Sequence, residues 1–503
     1  MPTLSTSLLP DVPEITAHTG NPTAVPSYDR SQVTPGIVHI GVGGFHRAHQ
    51  AMYLDRLMNQ GEALDWGIVG LGVMPSDVRM RDALAGQDHL YTLTTKAPDG
   101  SEDARVIGSI VDYVFAPDDP AAAVAMLADP QIRIVSLTVT EGGYNIDHVT
   151  GEFVEDAELI AADRAALRSG DHASLKSFFG LVTAALDERR RAGVAPFTIM
   201  SCDNIQGNGE VAHATFVAFA TSVDAELGAW MDASVAIPNS MVDRITPETT
   251  DADREDVAAR GYTDAWPVVA EDFTQWVLED KFTAGRPPYQ DAGVQLVDDV
   301  VPYELMKLRL LNASHQGLCY FGHLAGHRMV HDVMADPRFG DFLLAYMTDE
   351  ATPTLRPLPG VDLDDYRRTL IQRFGNTAVK DTVARLCAES SDRIPKWLLP
   401  VVRENLAAGR PLPHSPAIVA SRAPNAEGVD EDGAPITVVD RMADRLKESA
   451  SHNREDALSF LRDREVFGDL VDSPEFTADY TRVLESLHTV GAEATLDMLL
   501  AER

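Results

Sequence analysis

A chain of 503 residues is too long for one ordinary hydrophobic core, which points to two or three domains. Its 45% hydrophobic and 24% charged residues suit a globular protein and exclude a disordered or fibrous one. With 42 Lys plus Arg against 77 Asp plus Glu, the net charge is −35, which repels phosphate backbones and argues against nucleic-acid partners. The densest basic run, ERRRAG at 188–193, reads as the solvated end of a helix. No apolar run approaches the roughly 18 to 20 residues that span a bilayer, so no membrane partner is expected. The N-terminal stretch lacks the basic-then-apolar order of a secretory signal. Cys202, Cys319 and Cys387 lie far apart, as in a reducing compartment, so a cytoplasmic protein is expected.

In chain order, residues 1–34 are rich in Pro, Ser and Thr and read as an irregular arm. GIVHIGVGG is a β-branched run entering a glycine turn, and FHRAHQAMYLDRLMNQG continues it as a helix closed at Gly61. WGIVGLGVM at 66–74 reads as a second strand, and ARVIGSIVDYVF, IRIVSLTVT and FTIMSCDN as further strands with helical stretches between. Such alternation predicts an α/β domain, a mostly parallel sheet with helices on both faces, over residues 1–295. From 296 to 503 helical periodicity dominates, with Pro and Gly breaks near 352–360 and 410–436, so a mainly α-helical second domain is expected.

The glycine turn is the first candidate site. Gly41, Gly43 and Gly44 sit where a strand hands over to a helix, and missing β-carbons let a backbone turn sharply and a pyrophosphate approach. The third glycine of the usual G-x-G-x-x-G is replaced by His46. A nucleotide site is therefore expected over Ile40, Gly41, Val42, Gly43, Gly44, Phe45, His46 and Arg47. Asp77, 33 residues beyond Gly44, is the candidate for the adenosine ribose and favours NAD over NADP, although Arg79 and Arg81 nearby work against that preference.

The second candidate is ELMKLRLLNASH, residues 304–315. As a regular helix at 100° per residue it places His315 80° and Asn312 140° from Lys307, all on one side, with Arg309 facing away at 200°. A polar helix face gives the same pattern. Next to a dinucleotide turn, however, a lysine with a lowered pKa can take the hydroxyl proton as hydride leaves carbon, and asparagines can stabilise the alkoxide. Asn204, at the end of FTIMSCDN, is a second such amide. YELMK (Tyr303-x-x-x-Lys307) imitates the short-chain dehydrogenase spacing but follows the α/β domain instead of lying within it. HLAGH at 323–327 lacks the glutamate of a zinc protease helix, so no metal site is expected.

VHIGVGGFHRAHQA, SLTVTEGGY, MSCDN, MVDRITP, QWVLEDKF and KLRLLNASH, in this order, resemble the polyol-specific long-chain dehydrogenases over roughly residues 30 to 410. The resemblance implies a Rossmann-type N-terminal domain, a helical C-terminal domain, metal-independent chemistry and often a monomer. It implies NAD-dependent interconversion of a polyol and a ketose, D-mannitol and D-fructose first. Fructuronate (hexuronate) reduction and arabinitol oxidation are the alternatives within the family, and a non-catalytic NAD-binding sensor is the alternative outside it. By the same resemblance Lys307 is the general acid/base, Asn204 and Asn312 polarise the reacting oxygen, and His315 and Asp243 hold substrate hydroxyls. Arg385 and Arg393 contact substrate, the latter where relatives often carry lysine. Asp243 and Arg244 could equally form an ion pair. IVASRAPNAEG at 418–428 departs from the family in carrying Arg422 and Pro424 in place of an aromatic segment.

Overall fold

The computed structural model describes residues 1–147 and 150–502, in two compact units: 1–97 with 101–301, and 98–100 with 302–503. The first unit is built on five parallel strands, β1 (Pro35–Ile40), β2 (Gly67–Gly72), β3 (Ile110–Phe115), β4 (Ile134–Leu137) and β5 (Thr198–Ser201), in the order β3-β2-β1-β4-β5. Side-chain alternation divides its two faces. Ile37, Ile68 and Ile134 are in register and face one core cluster, while their neighbours Val38, Val69 and Val135 face another. Both clusters are lined by helices, so strands buried on both sides read as near-continuous apolar runs. This is the predicted α/β, Rossmann-type domain.

Two small sheets were not foreseen: Thr23–Ala24, Glu102–Ile107, Tyr91–Lys96 and Val268–Glu271 form one, and Gln295–Val297, Gln275–Glu279 and Ser240–Asp243 the other. ARVIGSIVDYVF is accordingly two strands in different sheets, not one. The break falls at Gly108, whose carbonyl accepts from Arg30 Nε at 3.0 Å and whose absent Cβ would lie 2.9 Å from Tyr28 Oη.

The expected irregular arm is ordered. Val12–His18 is helical, Thr23–Ala24 joins a sheet, and Leu4 and Val12 are buried with Leu90, Val106, Val257 and Tyr262. The predicted helix over FHRAHQAMYLDRLMNQG is likewise two helices, α1 (Gly44–Ala48) and α2 (Gln50–Asn59), broken at His49 (φ −123°, ψ −96°), whose ring contacts Gln275 O at 3.2 Å. Gly61 takes the positive φ (83°) of a helix-end glycine.

No strand occurs among the described residues after Val297, in line with the helical second domain. Every residue of α4 (Ala313–Leu324) is buried, and it packs against α6 (Val383–Cys387) and α9 (Ser415–Glu427). α9 corrects the break expected at 410–436: it continues through Pro424 because every residue from Ser415 to Ala426 is buried, and packing outweighs the lost main-chain bond. Its divergent Arg422 is buried over the Tyr320 ring (5.6 Å), donates to Asn425 Oδ1 (3.1 Å) and lies 3.8 Å from Asp440. Among the described residues no helix is long and apolar enough to cross a membrane.

Because the arm's Leu4 is fully buried, Leu4→Ala should cost about 2–5 kcal/mol, read as a lowered urea midpoint. An unchanged midpoint would mean that the arm contributes nothing to the first unit's stability.

Candidate active site

At the carboxyl end of β1 the chain must turn within a few residues. Gly41 does so at φ +91°, with its carbonyl held by Thr138 Oγ1 at 2.7 Å, and a Cβ there would fall 2.1 Å from Thr138 O. Ile40, in register with Leu71 and Leu137, and Val42 are buried beneath the turn. Gly43 differs in kind: a Cβ would meet only Gly41 O, at 3.8 Å, so the space above it is clear for a ligand's close approach. Gly44 opens α1, and Phe45 stacks on His49 with ring centroids 4.8 Å apart. These features fit a pyrophosphate-binding turn.

His46, in the third slot, shows how the missing glycine is accommodated. Its ring lies flat on His39 of β1, centroids 3.4 Å apart and planes 7° apart, so a stacked imidazole pair makes the helix–strand contact that a glycine usually permits. His39 is fixed by Ser136 Oγ (2.8 Å) and Thr138 Oγ1 (2.9 Å), tying the pair to the threonine that holds Gly41. Burial keeps both rings neutral, pushing His39 down to about 3 and His46 well below the usual range, the latter with help from His39, Arg47 and His49. Arg47, fully buried, donates through Nε to Gly43 O (3.2 Å) and through Nη1 to Trp266 O, and burial pushes it down to about 10. It braces the turn from below.

Asp77 stands past the end of β2. Its Oδ2 accepts from Val73 N (3.0 Å) and Met74 N (2.9 Å), leaving Oδ1 for a ribose hydroxyl. The opposing cations are engaged elsewhere: Arg81 bonds Asp82 and Asp118 (both 2.8 Å), and Arg79 lies over Trp266.

Beyond β5, Asn204 is exposed in the loop at the carboxyl edge. The preceding Asp203 was missed by sequence reasoning. It accepts from Thr140 N (2.8 Å), Val139 N (3.2 Å) and Tyr144 Oη (2.8 Å), pinning the loop after β4, where Thr140 holds φ +64°. Strain of this kind gathers at functional loops, and the only sequence signal was the pairing of MSCDN with SLTVTEGGY. Asp243 ends its strand, opposite Gln275, and is buried. Arg244 turns its guanidinium to the main chain, donating to Glu271 O (3.0 and 2.8 Å) and Ala48 O (2.5 Å).

In the second unit, α3 (Val301–Met306) runs into a π-turn, Lys307–Asn312, before α4 resumes. The 100° spacing assumed for ELMKLRLLNASH therefore fails at its centre: π bonds span five residues, bringing Lys307 and Asn312 to neighbouring positions on a widened turn. Lys307 is 6% exposed, Asn312 4% and His315 9%, and Glu304, one turn before Lys307, is also buried. Asn312 Oδ1 has no hydrogen-bond partner among the described residues, an omission that costs about 1–3 kcal/mol and that a hydroxyl-bearing ligand would relieve. Arg309 turns away, to Glu404 (2.6 and 2.9 Å) and Thr354 O (2.8 Å).

Arg385 forks onto Asp381 through Nε and Nη2 (both 2.6 Å), keeping Nη1. Arg393 donates Nη1 to Arg385 O (3.2 Å) and Leu386 O (3.1 Å) beside Trp397. Tyr303 Oη of the YELMK decoy is spent on Pro359 O at 3.3 Å. Among the described residues no group of three or more His, Cys, Asp or Glu could hold a metal ion.

Two outcomes are expected. Gly41→Ala, driven into Thr138 O at positive φ, should abolish nucleotide binding in a titration, and wild-type affinity would refute the assigned turn. Free imidazole titrates near 6.5, so with His39 held at about 3 the unfolded chain takes the proton first as pH falls. The stability this neutral ring contributes is complete above about pH 6.5 and is lost towards pH 3, at up to about 1.4 kcal/mol per pH unit. His39→Gln should therefore flatten the stability curve between about pH 6 and pH 4.

A family model described as the mannitol dehydrogenase Rossmann domain matches residues 35–291, and the mannitol dehydrogenase C-terminal domain matches 299–488. A mannitol 2-dehydrogenase of Phaeosphaeria nodorum is 45% identical over 477 residues, covering 94% of this chain and 82% of that protein. The solved ternary complex of Pseudomonas fluorescens mannitol 2-dehydrogenase with NAD and D-mannitol is 45% identical with a TM-score of 0.86, each chain covered in full. A substrate-free D-sorbitol dehydrogenase is 36% identical with a TM-score of 0.90, over 98% of this chain and 100% of that one. With both halves matched by one family's domains, and near-full-length identity to its members, this chain belongs to the mannitol dehydrogenase family.

Proposed function

We propose that the protein is an NAD-dependent polyol dehydrogenase that oxidises D-mannitol to D-fructose and catalyses the reverse reduction, with Lys307 as its acid/base and no metal in the step. The observation that carries this reading is a lysine withdrawn from solvent on a π-turn with Asn312, in a chain 45% identical to a relative solved with NAD and D-mannitol.

NAD, when bound, would supply the hydride acceptor for substrate carbon 2. The turn from Ile40 to Arg47 would seat the pyrophosphate against main-chain N–H groups, with Gly43 permitting the approach and Asp77 Oδ1 taking a ribose hydroxyl. In oxidation the neutral Lys307 amine accepts the hydroxyl proton, while the side-chain amides of Asn204 and Asn312 donate to the oxygen as it gains charge. In reduction the same ammonium returns the proton. His315 and Asp243 would hold the remaining hydroxyls, with Arg385 Nη1 and Arg393 at the far end of the substrate. Withdrawal from water serves the chemistry, because hydrogen bonds to a developing alkoxide gain strength as the surroundings become less polar.

Lys307→Ala should lower kcat by about 10² to 10⁴-fold with NAD affinity unchanged; comparable turnover would remove the lysine from the mechanism. A panel of D-mannitol, D-sorbitol, arabinitol and mannonate with NAD and with NADP should show highest kcat/KM for D-mannitol with NAD. Turnover of the acid alone would make the protein a hexuronate reductase.

A further inference from the structure

A π-turn cannot be sustained by its own ladder alone. Where hydrogen bonds change from a four-residue to a five-residue reach, main-chain groups at the junction must be satisfied from outside the helix. At Lys307–Asn312 one such partner is Tyr346, the fully buried last residue of α5 (Pro337–Tyr346), whose Oη donates to Arg309 O at 3.3 Å. α5 itself runs directly into a second π-turn, Met347–Ala351, in contact with the first. There too outside groups complete the main chain: Thr352 Oγ1 donates to Met347 O (2.6 Å) and Asn405 Nδ2 to Glu350 O (3.0 Å).

The Arg309 side chain closes the circuit. Its Nη1 reaches Thr354 O, just beyond the second π-turn, and its fork holds Glu404, the neighbour of Asn405 on α8 (Leu399–Ala407). Arg309 is thus gripped at its carbonyl and its guanidinium, both times by groups next to or within the second π-turn. Two residues earlier in the same turn is Lys307.

We propose that Tyr346 and Arg309 are positioning residues of the reaction: through the Arg309 carbonyl and guanidinium they lock the first π-turn onto the second and so fix where the Lys307 amine meets the substrate. This rests on Lys307 being the acid/base. Neither residue touches the reacting atoms. Both determine the register in which Lys307 and Asn312 are presented, and a displacement of about 1 Å is enough to cost about 10²-fold in rate.

Tyr346→Phe removes one hydroxyl from a buried ring and tests the lock. With the polyol that the wild type turns over best, kcat should fall about tenfold or more, and the pH at which it half-develops should move, while NAD affinity stays at the wild-type value and Tm falls by no more than the few degrees that one lost buried hydrogen bond costs. Unchanged kcat and pH profile would overturn the proposal, and so would a loss of turnover matched by an equal loss of NAD affinity, the pattern of a merely structural residue. Glu404→Gln, at a half-exposed side chain that tolerates change, gives the same readout if the tyrosine variant does not fold, with about a threefold or larger fall in kcat and the same two overturning results. Failure of the acid/base assignment itself shows separately, as retained turnover in Lys307→Ala.

Discussion

A helix that carries a buried lysine on a five-residue turn gives up the self-sufficiency of the α-helical ladder. That is the constraint on which the second unit is organised. An ordinary α-helix would satisfy its own N–H and C=O groups and would hold Lys307 and Asn312 well apart in rotation. The wide turn brings them together, and its main chain then depends on a tyrosine 37 positions further along the chain. α4 follows at once and is buried on every face, so the turn has no freedom to relax from its carboxyl side. The placing of Lys307 and Asn312 and the packing of the core are here properties of the same few hydrogen bonds.

The first unit meets the opposite requirement by similar means. A nucleotide turn needs main-chain N–H groups left open to a ligand, and so it must be rigid without using them. Rigidity comes instead from carbonyls: Thr138 takes Gly41 O and Arg47 takes Gly43 O, so the N–H groups remain free for the ligand. The stacked His39–His46 pair supplies the spacing that glycine would otherwise allow, and because burial keeps both rings neutral the turn carries no imidazolium into the core. Arg47, fully buried beneath it, is held by carbonyl dipoles and the Tyr91 ring.

What could be read from the sequence follows from how local its causes are. β1, β2, β4 and β5 are apolar runs whose burial on both faces is written in consecutive residues, and the glycine turn is a steric demand of a few positions, so both were legible. The same holds for the helical texture after residue 296. The break at His49, by contrast, depends on Gln275, more than two hundred residues away, and the small sheets pair Tyr91–Lys96 with Val268–Glu271 across a comparable gap. The helical periodicity of 304–315 was correctly seen, yet a fixed 100° step contains no term for a register change imposed by Tyr346. α9 kept its helix through Pro424 for a related reason: burial on all sides is a tertiary property that a proline signal overstates.

The grouping of these residues did not depend on the misread angle, and that independence has a physical basis. Lys307, Asn312 and His315 were grouped because polar side chains inside an oily run are costly wherever they point, so they persist only where something compensates them. Cost is independent of helical pitch, whereas direction is not. Composition within a run therefore identifies which groups are held out of water, while the direction in which they are held depends on distant partners such as Tyr346 and Glu404. The same division explains Asp203: its only signal was the company of MSCDN and SLTVTEGGY, and its importance lies in the three donors that converge on it from another loop.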